Sequence, residues 1–258
     1  KIFTVELLGL IERAYSTQGK LGAGWDYNRK AINYYQEAFN LPHSDDLPDI
    51  ASISQLPINA RNLGWRLIER EATYLHETRQ TPEAKKLLIT AIEAARSDLN
   101  AKAKKRSFYA LKLVGKMALI EGFVGYKQAA LDYSEQEYAY AEPWSRRSNL
   151  IRIRMNYLAD YAVLHGADDS TIAEADALLA EYSEANYKSL GGITRLHTEI
   201  VAARMTTDEQ VDRLLEAARL SRIVENEVEN FYATRNSLFA RANANEPALD
   251  QEFNAYLT

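Results

Sequence analysis

Apolar residues recur at intervals of three and four along nearly the whole chain. One turn of an α-helix contains about 3.6 residues, so this interval places the apolar side chains on one helix face. Alternating strand-like runs bounded by turn residues are not found, and glycine (11) and proline (6) are scarce among the 258 residues. The sequence therefore predicts an all-α protein with long helices and few turns. The predicted helices span 3–17, 26–40, 58–78, 82–98, 102–122, 126–141, 146–165, 171–187, 190–204, 207–225 and 227–242, with a further short one over 247–257.

Composition excludes several classes of protein. Hydrophobic residues make up 47% and aromatic residues 10% of the chain, which is not the composition of a disordered segment. The lack of cysteine excludes a disulfide scaffold, a thiolate metal site and a cysteine nucleophile. No apolar run approaches the roughly 20 residues that a membrane-spanning helix needs. Since no signal peptide is visible either, we expect a cytoplasmic location, and the start at Lys1 indicates a trimmed or mature chain, or an excised domain.

Charge is distributed unevenly along the chain. Residues 101–154 carry 11 basic and 5 acidic side chains, whereas residues 155–258 carry 8 basic and 18 acidic ones. The overall acidic balance, with a net charge of −5, argues against nucleic-acid binding by this domain. Because the two regions carry opposite charge, a head-to-tail homodimer that pairs them is one hypothesis for the assembly.

A pattern of small and bulky residues recurs in the second helix of each predicted helix pair. A small residue is followed four positions later by a larger one and three positions after that by another small one, and the helix-pair unit that carries the pattern is about 40–50 residues long. Small residues let two helices approach closely, and a bulky one fills the groove between them. The copies are Ala31, Tyr35, Ala38; Ala84, Leu88, Ala91; Ala173, Ala177, Ala180, in which the middle residue is smaller; and Val211, Leu215, Ala218.

With Leu63-Gly64 and Ala72 in a preceding helix, and Gly125 and Pro143 bracketing another unit, this pattern resembles a tetratricopeptide-repeat (TPR) array. The long period is similar to that of the divergent arrays in regulators of the maltose-activator and peptide-sensor type. The resemblance implies a right-handed α-α superhelix of about five TPR-like helix pairs, an alpha solenoid that forms a single domain over 1–258. Its parts are a first pair with a Pro-rich loop (1–57), central pairs (58–143) and acidic C-terminal pairs (144–258). An irregular all-helical bundle is the alternative.

Basic and amide side chains share one face on two predicted first helices, and in TPR arrays the first helices line the concave groove. Ammonium and guanidinium groups attract carboxylates, and asparagine amides both donate to and accept from a peptide backbone. A solvated charged face is the alternative explanation. The candidate binding residues are Lys105, Tyr109, Lys112 and Lys116 on one helix, Asn149, Arg152 and Asn156 on the other, and Asn62, with Asn59, on the preceding first helix.

These features predict a non-catalytic scaffold or adaptor that binds a protein or an acidic peptide in a basic concave groove. The alternative within the same fold is the peptide-sensing effector domain of a larger transcriptional regulator. No cofactor is expected. The four histidines are widely separated, and no HExxH motif, nucleophile elbow or phosphate-binding loop occurs. The glycines at 19, 22 and 24 are instead predicted to form a turn between helices.

One motif suggests a different class of protein. Asp45, Asp46 and Asp49 match the DDxxD pattern of class I prenyl-diphosphate and terpene enzymes, whose aspartates hold Mg²⁺. Pro48 lies inside the motif, and the second metal-binding motif expected of that family does not occur. Aspartates before an apolar segment are also an ordinary helix start. We therefore expect a loop and a helix start here rather than an active site.

Overall fold

The computed structural model describes residues 2–42, 49–100, 107–185 and 190–204, and the regular structure in those ranges is entirely helical, as predicted. None of the helices in these ranges is long and apolar enough to cross a membrane. The helices are α1 (Ile2–Thr17), α2 (Leu21–Phe39), α3 (Ile50–Ser54), α4 (Ile58–Glu77), α5 (Thr81–Ala94), α6 (Arg96–Leu99), α7 (Phe108–Phe123), α8 (Lys127–Ala141), α9 (Arg147–His165), α10 (Asp169–Glu184) and α11 (Leu190–Ala202).

Most helix bounds fall close to the predicted ones, with three differences inside the described ranges. The short helix α3 was not predicted, and the helix predicted over 82–98 breaks at Ala95 into α5 and α6. The predicted turn at 19–24 is wrong beyond its first glycine: Gly19 has a φ of +70°, but α2 already begins at Leu21 and contains Gly22 and Gly24. The helices predicted over 207–225, 227–242 and 247–257 lie outside the described residues.

Thr171 and Thr81 lie inside the first turns of α10 and α5 and do not occupy the capping positions. The cap of α10 is Asp168, whose Oδ1 accepts from the Thr171 backbone N–H and from its hydroxyl, both at 2.7 Å. A carboxylate is the stronger acceptor at the positive end of a helix. Helix α5 begins at Thr81, whose hydroxyl lies 3.0 Å from His76 Nδ1. Both threonines therefore support the helix start without capping it.

The chain divides into two compact units, residues 1–144 and 145–258, which are described separately. In the first unit α1 packs on α2, α4 on α5, and α7 on α8. Helix α2 also contacts α4, and both α4 and α5 contact α7. That the two units form one repeat domain stays a prediction. The largest fully buried side chains of the first unit are Tyr35, Trp65, Tyr74, Ile32 and Ile53.

Close approaches between helices in the first unit depend on glycines. A Cβ built on Gly64 of α4 would lie 2.5 Å from the Tyr35 hydroxyl of α2, which donates to the Ala60 carbonyl at 2.9 Å. A Cβ built on Gly24 of α2 would lie 2.6 Å from the hydroxyl of Tyr74. Each glycine therefore leaves room for a buried tyrosine hydroxyl that a larger residue would displace.

The small-bulky-small pattern describes the packing of α5 but not that of α10. Ala84, Leu88 and Ala91 are all fully buried in the first unit, whereas Ala173, Ala177 and Ala180 are exposed in the second. Alanine is compatible with either face of a helix, so alanine spacing alone does not fix the buried side. Of the other copies, Ala31 and Tyr35 are buried, and the copy at 211–218 lies outside the described residues. The residues that α10 buries are Thr171, Ala175, Leu178 and Tyr182.

In the second unit α9, α10 and α11 all contact one another around a separate apolar core. Two arginines of α9 pair with glutamates of α10 through both carboxylate oxygens. Arg154 donates to Glu174 at 2.6 and 2.9 Å, and Arg147 donates to Glu181 at 2.7 and 2.6 Å. Because the residue number rises on one helix as it falls on the other, α9 and α10 run antiparallel.

Candidate functional site

The first helices of the first unit run parallel to one another. Between α4 and α7, Asn62 contacts the start of α7 at Tyr109, and Glu69 contacts Lys116. Both pairs are separated by 47 positions in the sequence, which places the two helices side by side in the same direction. The polar face that runs along α4 and α7 is the site at which the predicted binding residues of this unit lie.

Asn62 is engaged in positioning α7. Its Oδ1 accepts from the Ser107 hydroxyl at 2.6 Å and from the Tyr109 backbone N–H at 3.2 Å. The Ser107 hydroxyl in turn caps α7 by accepting from the Ala110 N–H at 3.1 Å. Because the acceptor oxygen is used in this way, any contact of Asn62 with a ligand is left to its amide nitrogen.

The predicted binding residues of α7 differ in their burial and in the contacts that they make within the fold. Lys116 Nζ lies 3.5 Å from Glu69 Oε1, and both side chains are mostly buried. Lys112 Nζ lies 5.3 Å above the ring of Phe108, within the range of a cation–π interaction. Tyr109 is partly buried against the core. Lys105 lies outside the described residues.

Arg66, which is not among the binding residues predicted from the sequence, lies on the same face of α4. A Cβ built on Gly9 of α1 would lie 1.7 Å from Arg66 Nη2 and 2.8 Å from Arg66 Cζ. The guanidinium therefore rests directly on the backbone of α1, where only glycine leaves room for it. Within the described ranges, no carboxylate forms an ion pair with Arg66. The spacing of Asn59, Asn62 and Arg66, three and then four positions, was the signal in the sequence that extends the face to Arg66.

The predicted residues of α9 belong to the second unit. Asn149 Oδ1 accepts from Arg152 Nη2 at 2.8 Å, and Asn149 Nδ2 donates to the Ser145 hydroxyl at 3.2 Å. Asn156 is partly exposed one turn further along α9. Asn149 and Arg152 thus form a local hydrogen-bonded pair, and the proposed binding role of this row stays a prediction.

Buried carboxylates hold α1 and α2 against α4. Glu12 of α1 accepts from the hydroxyl of Tyr74 and from Arg70, whose Nε lies at 2.9 Å. Glu71 accepts from Trp25 Nε1 at 2.8 Å and from Asn28 Nδ2 at 2.9 Å. Burial raises the pKa of Glu71, against the hydrogen bonds that lower it. Since each of these two carboxylates accepts hydrogen bonds from another helix, together they hold α1 and α2 against α4.

The aspartate motif contributes a helix cap. Asp49 accepts from the Ala51 N–H at 3.2 Å and from the Ser52 hydroxyl at 2.5 Å, and so caps α3. This confirms the helix-start interpretation for Asp49, while Asp45 and Asp46 lie outside the described residues. Among the described residues, no group of three or more histidine, aspartate or glutamate side chains is placed to hold a metal ion.

A shallow cleft of about 570 Å³ lies where α5 meets the α7–α8 turn. Of its two lysines, Lys85 and Lys127, Lys85 pairs with Glu121 at 2.8 Å and lies 4.9 Å above the ring of Tyr126. The charge of Lys85 is therefore already compensated inside the fold.

Comparison with known proteins does not assign the chain to a family. No protein-family model matches the chain, and no curated protein is similar to it.

Proposed function

We propose that this chain is a non-catalytic, TPR-like helical-repeat protein that binds an acidic segment of a partner protein along the face of α4 and α7. The neighbour relations of the first unit support the repeat architecture: each second helix packs on its own first helix, and α2 and α5 also pack on the next one. The parallel first helices then form a continuous surface on which an extended peptide can lie.

The observation that carries the proposal is the placement of Arg66. Its guanidinium is supported by the backbone of α1 at Gly9 and forms no ion pair within the described ranges. An arginine held in place loses little side-chain entropy when it binds a carboxylate, and it can do so through two parallel hydrogen bonds.

The neighbouring side chains suit the backbone and the flanking charge of such a peptide. Asn59 is exposed two turns from Arg66 on the same face of α4, where its amide can bond a peptide backbone. Lys112 adds positive charge from α7, and it is partly exposed. Asn62 and Lys116 act chiefly as supports in this proposal because they hold α7 against α4.

The test uses a fluorescein-labelled peptide of six glutamates and measures its binding by fluorescence anisotropy, with a six-glutamine peptide as the reference. We expect the acidic peptide to bind more tightly than the reference. Arg66→Ala should weaken binding by about ten-fold or more, since a hydrogen bond to a charged group is worth about 1.5–3 kcal/mol. The matched control Lys86→Ala removes an exposed cation on α5 and should leave the affinity unchanged.

A second variant separates the position of the arginine from its charge. Gly9→Ala keeps every charged residue but forces the Arg66 guanidinium to move. It should therefore also lower the affinity for the six-glutamate peptide, while the protein stays folded. Equal binding of both peptides, or equal affinities of the Arg66→Ala and Lys86→Ala proteins, would contradict the proposal.

A further inference from the structure

Helix α1 presents a row of apolar side chains that the described residues leave partly or largely exposed. Phe3 is 75% exposed, Leu7 45% and Leu10 59%, and Ala14 continues the row as an exposed residue. The row advances by four, three and four positions. This alternation of four and three is the seam of a two-helix coiled coil, in which each apolar side chain inserts between side chains of a second helix.

Two opposite charges flank this seam along one edge. Glu6 and Arg13 are both exposed, and each immediately precedes a seam residue. They are seven positions apart, about 10.5 Å along the helix axis at 1.5 Å per residue, so they are too distant to pair with one another. Within the described ranges neither side chain forms an ion pair.

We propose that the seam of α1 is a homodimer interface at which α1 of two copies packs antiparallel about a two-fold axis. Antiparallel helices place residue i of one opposite residue 17 − i of the other when the seams are in register. Leu7 then faces Leu10 of the second copy, and Phe3 faces its Ala14. The two-fold axis repeats both contacts, so four apolar layers close the interface.

The charges select this orientation. In the same register, Glu6 lies within about two residues, or about 3 Å along the axis, of Arg13 of the second copy at the same edge of the seam. The symmetry forms this ion pair twice. A parallel pair would place each Glu6 level with the other Glu6 across the seam and would form neither ion pair. Charge complementarity therefore favours a second, antiparallel copy as the occupant of the seam.

The first experiment measures the mass of the full chain by sedimentation velocity over roughly a thousand-fold range of concentration. We expect a reversible dimer. Replacing Leu7 and Leu10 together by glutamate should leave a folded monomer at every concentration. The control Ile89→Glu changes an apolar residue of α5 that is also exposed, at 42%, and should leave the dimer intact. A wild-type monomer throughout, or a dimer that survives the double replacement, would overturn the proposal.

Charge reversal tests the ion pairs. Glu6→Arg and Arg13→Glu each turn two attractions into two repulsions, and each should weaken the dimer by about four-fold or more. The protein with both substitutions exchanges the signs and should recover wild-type affinity. A doubly substituted protein as weak as either single variant would disprove the antiparallel register.

Orientation can be read directly because the chain has no cysteine. Under oxidising conditions, a mixture of Glu6→Cys and Arg13→Cys proteins should yield mainly disulfide-linked heterodimers, since those positions meet in the antiparallel pair. Each variant alone should cross-link poorly. Efficient cross-linking of either variant with itself would indicate a parallel pair and would contradict the proposal.

Discussion

The contact between Gly24 of α2 and Tyr74 of α4 gives a sharp test of how the first unit is packed. A Cβ at position 24 would lie 2.6 Å from the Tyr74 hydroxyl but 3.4 Å from Tyr74 Cζ and 3.5 Å from the Glu12 carbonyl oxygen. The hydroxyl is thus the only atom that an alanine at this position would strike. Burial raises the pKa of Tyr74, so at neutral pH its hydroxyl is protonated and donates to the Glu12 carboxylate.

The size of the effect of Gly24→Ala follows from two opposing contributions. Alanine is favoured over glycine inside a helix by about 0.5–1 kcal/mol. Displacing the hydroxyl loses a hydrogen bond to a charged group, worth about 1.5–3 kcal/mol. The substitution should therefore lower the free energy of unfolding by about 0.5–2.5 kcal/mol. A Tyr74→Phe protein lacks the hydroxyl, so in that protein Gly24→Ala should instead raise the free energy of unfolding by about 0.5–1 kcal/mol.

The assay is urea unfolding followed by tryptophan fluorescence. The three tryptophans, Trp25, Trp65 and Trp144, all lie in the first unit, so their emission reports the unit that contains the contact. Measuring both substitutions alone and together gives a coupling energy, expected to be about 1.5–3 kcal/mol.

Gly22→Ala is the matched control for this measurement. It lies in the same helix, and a Cβ there would meet no atom within 4 Å, so it should not destabilise the protein in either background. The reasoning would be refuted if Gly24→Ala destabilised the Tyr74→Phe protein as much as the wild type, because the hydroxyl would then not be the obstacle.

Two further predictions concern buried carboxylates of the first unit. Asp98→Ala removes the acceptor of the Arg61 guanidinium, at 2.6–3.0 Å, and of Trp65 Nε1, at 2.9 Å. In urea unfolding it should lower the free energy of unfolding by about 3–5 kcal/mol, whereas the control Asp26→Ala, at an exposed position, should lower it by about 0.5 kcal/mol or less. A loss under about 1 kcal/mol for Asp98→Ala would count against a buried ion pair. Burial raises the pKa of Glu71 above 4.5, so the folded state binds the proton of this carboxyl more tightly than the unfolded state does. The free energy of unfolding should therefore fall as the pH rises from 4.5 through the folded-state pKa. Glu71→Gln should reduce this pH dependence in parallel unfolding measurements, and an unchanged pH dependence would assign the effect to other groups.

The sequence was sufficient to predict the long helices of the described residues, because each one buries a stripe whose spacing can be read locally. It was not sufficient to assign faces where both sides of a helix carry small residues. Helix α10 has alanine at 173, 175, 177 and 180, and only the second of these is buried. The side that faces the core is set by Leu178 and Tyr182, whose larger apolar areas dominate the burial.

The buried carboxylates could not have been predicted from local pattern. Glu12 meets its partners 58 and 62 positions away, and Asp98 meets Arg61 across 37. A charged residue on a helix is usually solvated, and nothing in its immediate sequence shows that two other helices will supply donors. For the same reason the contacts that Asn62 and Lys116 make within the fold could be seen only in the structure.

Helix α1 takes part in both proposed surfaces, yet through different faces. Gly9, which supports Arg66, and Leu10, which lies in the dimer seam, are adjacent in sequence and so point about 100° apart around the helix. Gly9→Ala should therefore change peptide binding without changing the dimer, and Leu10→Glu the reverse. Glu12 holds α1 to α4 through Arg70 and Tyr74, so Tyr74→Phe loosens the one element that the two surfaces share. Tyr74→Phe should then weaken both peptide binding and dimerisation, whereas Gly9→Ala and Leu10→Glu should each weaken only one of the two. That result would show that α1 supports both surfaces.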